Sequence, residues 1–259
     1  MAAAFLVMVT LGIRQSFGLF LLPVTEALGT GREVFSLALA LQNLLWGIAS
    51  PFAGALADKF GAGRVAAIGT LFYAGGLVVM ASFVSPSGLM MGQLMIGIGL
   101  GSAGVSIALG AVARAVAPEK RSLALGMVTS IGSFGQFAVL PVTQIFIDGY
   151  GWQVSLLLLS GLSASMLASC LLMARDEKVR EVRTADIANI TMNGMLKTAL
   201  SSTDYLLLTV GFFVCGIQVV FIATHLPTYL QDAGIGPEIA SWALGLVGLF
   251  NIIGSLLEI

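Results

Sequence analysis

One strong charge is set well inside a long apolar run. It is Arg14, in Gly12-Ile13-Arg14-Gln15-Ser16-Phe17-Gly18. A charged side chain at mid-membrane costs about 2.5–3.5 kcal/mol on insertion scales, so it must find water, a partner or a ligand. A guanidinium presents a planar fork of donors that matches a carboxylate. The chemistry to expect is therefore anion recognition. The alternative is an arginine that snorkels to the outer interface or pairs with a nearby acid. Gln15 stands beside it. The sole histidine, His225, sits in Thr224-His225-Leu226-Pro227; it is able to titrate near neutral pH and carry a proton, or simply to hydrogen-bond at an interface. Asn251 completes the candidate substrate-binding set of Arg14, Gln15, His225 and Asn251. Gln42, Asn43 and Gln136 are further amides in apolar surroundings, able to bind a solute or to join helices.

A second concentration of chemistry is the stretch Gly54-Ala-Leu-Ala-Asp58-Lys59-Phe-Gly61-Ala-Gly63-Arg64 between two apolar runs. Glycine at 54 and 61 permits close backbone approach and unusual dihedrals, and Asp58, Lys59 and Arg64 charge the turn. Gly99 to Gly104 spells Gly-x-Gly-x-x-Gly. A nucleotide fingerprint needs a preceding strand and a soluble crossover unit, so here the small residues are read as helix-packing positions. Ser102 and His225 are the only makings of a serine–histidine dyad, without the Gly-x-Ser-x-Gly turn. Cys170 and Cys215 both lie in apolar runs and read as small hydrophobes. No metal set and no cofactor is expected.

The elements that position these residues follow from composition. Hydrophobic residues make up 58% of the 259 and charged residues 10%, against about 25% charged in soluble domains, and the mean hydropathy is +0.99. This is an all-α polytopic membrane protein. A net charge of −1 gives no reason to expect a nucleic-acid partner. Eight apolar runs are long enough to cross a bilayer, at about 2–25, 35–56, 66–84, 89–112, 122–147, 153–173, 204–228 and 239–257. Pro23, Pro51 and Pro141 are expected to bend their spans. The stretch 174–203 is rich in charge and reads as a solvated linker, partly an amphipathic helix on the membrane surface; Asn189-Ile190-Thr191 within it is a literal glycosylation sequon. Lys59, Arg64, Arg114, Lys120, Arg121, Arg175, Lys178, Arg180, Arg183 and Lys197 fall on one side, and only Arg32 on the other. The positive-inside rule puts the Gly54–Arg64 turn and the linker in the cytoplasm, in the inner membrane of a bacterial-type cell.

The chain also repeats itself. At an offset of 205, residues 29–50 and 234–255 share Gly29, Gly31, Glu33, Ser36, Ala38, Leu39, Leu41, Leu44, Ile48 and Ser50. Spans one and two thus recur as seven and eight in the same orientation, the pattern of two parallel six-helix halves. By that offset a full second half would end near residue 378, so the sequence reads as one truncated after the eighth helix. The expected domains are a six-helix bundle at 1–173, the linker at 174–203 and the first two helices of a second bundle at 204–259.

The Gly54–Arg64 stretch resembles the helix-two to helix-three loop of the major facilitator superfamily, Gly-x3-Asp-(Arg/Lys)-x-Gly-x-(Arg/Lys)-(Arg/Lys), with Gly63 in place of one basic residue. Arg14-Gln-Ser-Phe-Gly-Leu-Phe, Pro118-Glu119-Lys120-Arg121-Ser-Leu-Ala124-Leu-Gly126, Ser133-Phe-Gly135, Pro141, Gly151-Trp152 and His225-Leu-Pro-Thr-Tyr are similar to its monocarboxylate-porter branch. The resemblance implies a major facilitator fold with a complete N-terminal bundle plus two further helices. It implies alternating access, proton-linked transport of a small organic anion, and conformational gating by Gly54, Asp58, Lys59, Gly61 and Arg64. The alternatives are efflux of sugars or drug-like solutes by the same fold, or a truncated membrane protein that does not transport. Asn251 and Ser255 occupy the helix-eight positions where lactate-type porters carry an acid and an Arg. Gln93 stands where the helix-four motif carries its proton-coupling Arg.

Overall fold

The computed structural model describes residues 1–180 and 201–257, and its described residues contain helices and no strand. In order they are α1 (Ala2–Gln15), α2 (Phe17–Leu28), α3 (Arg32–Phe60), α4 (Ala62–Ser82), α5 (Pro86–Ala103), α6 (Val105–Ala115), a single 3₁₀ turn (Pro118–Lys120), α7 (Arg121–Ala164), α8 (Met166–Arg180), α9 (Thr203–Asp232) and α10 (Pro237–Leu257). Six helical stretches are long and apolar enough to cross a membrane, and α1 with α2, bent by 42°, makes a seventh. One of the six, Pro118–Arg175, has 58 residues. At about 1.5 Å per residue it is far longer than a bilayer core of about 30 Å. It divides at Gly151, whose φ of 79° and ψ of 164° are not helical. Counting it as two gives the eight spans expected from the apolar runs.

The breaks do not fall at the prolines. Helix assignment continues through Pro23, Pro51 and Pro141. The first span breaks instead at Ser16, whose Oγ donates to the Ile13 carbonyl at 2.8 Å; such back-bonding competes with the helix ladder and bends it. The fourth span breaks at Gly104, which is extended at φ −85°, ψ −170°. Of the expected linker, residues 181–200, including the Asn189 sequon, lie outside the described residues, while α8 stays helical to Arg180.

The glycines of α5 bring backbones together. A Cβ on Gly92 or Gly99 would lie 2.7 or 2.8 Å from the carbonyl oxygens of Gly76 and Gly69 in α4. One on Gly97 or Gly101 would lie 2.7 Å from the Gln42 carbonyl or the Ala49 Cβ in α3. Lipid is as apolar as leucine, so helices associate through such close packing. Around this contact Phe20, Phe35, Tyr73, Leu77, Ile96 and Leu100 are buried. The repeat is visible in the backbone. Gly29 and Gly234, 205 residues apart, both take positive φ, 60° and 78°, and α3 and α10 start at Arg32 and Pro237, the same offset. The second copy packs against the first bundle: α9 lies on α2, and α10 lies on α7, with the Trp242 and Phe137 rings 5.9 Å apart.

Candidate functional site

The break at Ser16 places Arg14 and Gln15 near the midpoint of the Ala2–Leu28 span. There they meet α3 and α9. Arg14, Gln15, Phe17 and Gly18 form one wall of a cavity, Leu39, Gln42 and Asn43 a second, and Val220, Ala223 and Thr224 a third; it is small, with a volume of about 20 Å³, and is partly open to solvent. The wall from α9 is pressed close, because a Cβ on Gly18 would collide with the Ala223 carbonyl oxygen.

α3 fixes the guanidinium. Arg14 Nη2 donates to Asn43 Oδ1 at 3.1 Å, and Asn43 Nδ2 donates to the Leu39 carbonyl at 2.8 Å. That second bond sets the amide so that its oxygen faces Arg14. One turn on, the Trp46 ring lies under the guanidinium, 4.8 Å from carbon to ring centroid, a cation–π contact worth about 0.5–2 kcal/mol. No acid joins them. Among the described residues no Asp or Glu is buried, and neither ion pair includes Arg14. Gln15 and Gln42 are 4% and 1% exposed, and the Oε1 of each is buried without a hydrogen-bond partner. The cavity thus holds one uncompensated positive charge, two amides with an unmet acceptor, and apolar surface from Phe17, Leu39, Val220 and Ala223.

Of the four residues expected to bind substrate, the structure brings Arg14 and Gln15 together. His225 follows Thr224 on α9 but does not line the cavity; it is half-buried and its ring lies tilted against Phe221, with centroids 5.0 Å apart. Asn251 is exposed on α10. Sequence reading marked Gln42 and Asn43 only as amides and overlooked Trp46. The signal was the spacing, since residues 39, 42, 43 and 46 share one face of a helix.

At the far end of α3, Asp58 Oδ1 accepts from Arg114 Nη1 at 3.2 Å, tying the Gly54–Arg64 turn to the end of the fourth span. Lys59 lies over the Phe60 ring at 5.3 Å, and Arg64 donates to the Phe60 carbonyl at 3.3 Å. Gly61 has φ 94°, a conformation that disfavours other residues. A Cβ on Gly54 would meet nothing within 4 Å, whereas one on Gly63 would collide with the Ala174 nitrogen in α8. That contact is the physical reason a long basic side chain is replaced by glycine there. At the opposite end of α3, Arg32 makes two hydrogen bonds to Asp232, Nη1 to Oδ2 at 2.6 Å and Nη2 to Oδ1 at 2.8 Å. The bond from Arg32 holds the Asp232 carboxyl below the usual carboxylate range and raises the guanidinium in turn.

Comparison with known proteins agrees with this architecture. Residues 2–258 match the family model of the Major Facilitator Superfamily. The chain is 25% identical over 248 residues to the uncharacterized MFS-type transporter YcxA of Bacillus subtilis, covering 94% of this chain and 59% of that protein. It is 26% identical over 258 residues to monocarboxylate transporter 13 of Rattus norvegicus, covering 94% and 55%. A shorter match, 33% over 105 residues, covers 40% of this chain and 26% of the putative niacin/nicotinamide transporter NiaP of Bacillus subtilis. The chain spans a little over half the length of the first two relatives. It is a multi-pass membrane protein whose relatives are transporters rather than enzymes, and it belongs to the Major Facilitator Superfamily.

Proposed function

We propose that this superfamily member binds and carries a small organic monoanion, of the monocarboxylate kind, by alternating access. The observation that carries the reading is Arg14: a mid-span guanidinium held by Asn43 and Trp46, with no acid beside it among the described residues, and facing a cavity between the first bundle and α9. A carboxylate seated there supplies the missing counter-charge, and its apolar tail lies against Phe17, Leu39 and Val220. Gln15 and Gln42 hold the polar rim. In the same proposal residues 1–173 are the first bundle, 174–203 a cytoplasmic linker and 204–259 the opening of the second bundle, all in the inner membrane. The loop of Gly54, Asp58, Lys59, Gly61 and Arg64 gates the cytoplasmic side. His225, beside Thr224, is the group offered for proton coupling, and Asn251 is offered as a contact from the α10 side. Support comes from the guanidinium of Arg14 at the cavity wall, and from the relative named as a monocarboxylate transporter.

The test is isothermal titration of the purified chain in nanodiscs with propionate and with its uncharged isostere propionamide. Propionate is expected to bind and propionamide not to. Arg14→Gln is expected to weaken propionate binding at least about tenfold, since hydrogen bonds to charged groups contribute about 1.5–3 kcal/mol. Equal binding of acid and amide, or an unchanged Arg14→Gln variant, overturns the reading.

A further inference from the structure

The first span is interrupted where its charge sits. Arg14 stands in the last turn of α1. Ser16 separates α1 from α2, which turns away by 42°. The Ser16 Oγ donates to the Ile13 carbonyl at 2.8 Å, and the Ser16 N–H donates to the same oxygen at 3.1 Å. In an unbroken helix that carbonyl would accept from the Phe17 N–H, four residues on. The Leu19 N–H turns instead to the Ser16 carbonyl, at 3.0 Å. Phe17 and Gly18 are thus the first two residues of a new helix of 12 residues, and the first N–H groups of a helix have no partner within it.

Those two residues line the Arg14 cavity. Backbone donors therefore open at mid-span, beside a guanidinium, where the bilayer core offers no water to take them. A separate observation points to a ligand at the same place. Gln15 and Gln42 line this cavity too, and each carries a buried Oε1 without a partner. The last torsion of a glutamine is broad, so either amide can turn a donor or an acceptor to what binds there. The repeat supplies a control. At the offset of 205, Arg14 corresponds to Val219 and Ser16 to Phe221, and α9 runs through both unbroken, from Thr203 to Asp232. The interruption accompanies the arginine and is missing from the copy without one, so the shared scaffold does not require it.

We propose that the start of α2 is a second anchor for the anion: one carboxylate oxygen takes the Arg14 guanidinium, the other takes the N–H groups of Phe17 and Gly18, and Ser16 is the residue that positions those donors. N–H bonds to an ionised acceptor are the strong kind, and a helix start favours negative charge. The opposite charge at the end of α1 is answered by Arg14 itself. The inference rests on the monoanion reading and deepens it. Ser16 is fully buried and stands off the cavity wall, so its variants act through the backbone. The purified chain in nanodiscs is titrated with propionate and melted, unaltered and as Ser16→Ala and Ser16→Thr. Ser16→Ala returns the Ile13 carbonyl to Phe17. It is expected to weaken propionate binding about tenfold while leaving the thermal midpoint unchanged or higher, since alanine is the better helix former. Ser16→Thr, whose hydroxyl can make the same bond, is expected to stay within about threefold of the unaltered chain. Hydrogen exchange without solute, read by mass spectrometry, is expected to be faster at Phe17 and Gly18 in the unaltered chain than in Ser16→Ala. Unchanged propionate affinity in Ser16→Ala, affinity and midpoint falling together, or equal exchange in the two chains overturns the anchor and leaves the monoanion reading standing. An unaltered chain that binds propionate and propionamide alike overturns that reading, and the anchor with it.

Discussion

The two copies of the repeat share a scaffold and differ in chemistry. In each, a left-handed glycine (Gly29, Gly234) ends one helix, and the next starts at the same offset. A Glu in its first turn (Glu33, Glu238) and a serine three residues on (Ser36, Ser241) also match, and both serines donate back to a carbonyl of that turn. The residues around Arg14 do not repeat. Gln42, Asn43 and Trp46 of the first copy correspond to Val247, Gly248 and Asn251 of the second. The first copy grips a guanidinium. The second presents Gly248 to α7, where a Cβ would be 2.7 Å from the Phe137 nitrogen. Backbone requirements are the same in both copies, while the side chains facing the cavity have been assigned separately.

The largest effect should come from the packing side of this contrast. Gly248→Leu drives a side chain into the α7 backbone and is expected to destabilise the α10–α7 contact by about 3 kcal/mol or more; the thermal midpoint of the purified chain checks it. The matching change in the first copy, Asn43→Leu, is expected to cost far less stability and to act mainly on propionate affinity. If both destabilise equally, the division of labour between the copies is wrong. Next, Gly29→Ala and Gly234→Ala should each cost about 1–2 kcal/mol, because both glycines hold left-handed backbone. Unequal costs would show that the shared turn is not under the same constraint in both copies. Smaller again, Trp46→Asn, which writes the second copy's residue into the first, should weaken propionate binding by about 0.5–1 kcal/mol through loss of the cation–π contact, with little change in thermal midpoint. The smallest concerns Asp232. Its carboxyl is held below the ordinary value of 3.8, so the bond to Arg32 is fully present above that pH and is lost only as pH falls through the lowered value. The difference in thermal midpoint between the purified chain and Asp232→Asn should therefore stay flat from about pH 5 to pH 8; a change within that window would point to a different titrating group.

Much of the fold was legible because lipid imposes a simple rule: apolar runs of sufficient length become helices. The runs located eight spans, and the Gly, Glu and Ser identities located the repeat. The breaks were less legible. Proline is the usual signal for a bend, yet Pro51 and Pro141 are absorbed, and the first span yields at Ser16 through a hydrogen bond that any helical serine can make or forgo. Gly104 looked like one more packing glycine. The candidate site was half legible. Arg14 and Gln15 announced themselves as polar residues in an apolar run. Trp46 did not, since an aromatic in a membrane helix is ordinary until a cation is set over it by another helix. Gly63 is the reverse case. It looked like an imperfection in a motif and is explained by Ala174, more than 100 residues away.

Arg14, with no acid beside it among the described residues, has an electrical consequence. An empty cavity carries a unit charge near the middle of the span, where the membrane potential acts on it; a charge moved across the whole field gains or loses about 2.3 kcal/mol per 100 mV. On the proposed reading, a monoanion bound at the guanidinium would cancel that charge. Filling and emptying the site would then switch the protein's sensitivity to voltage off and on, so the potential would pull chiefly on the unloaded form.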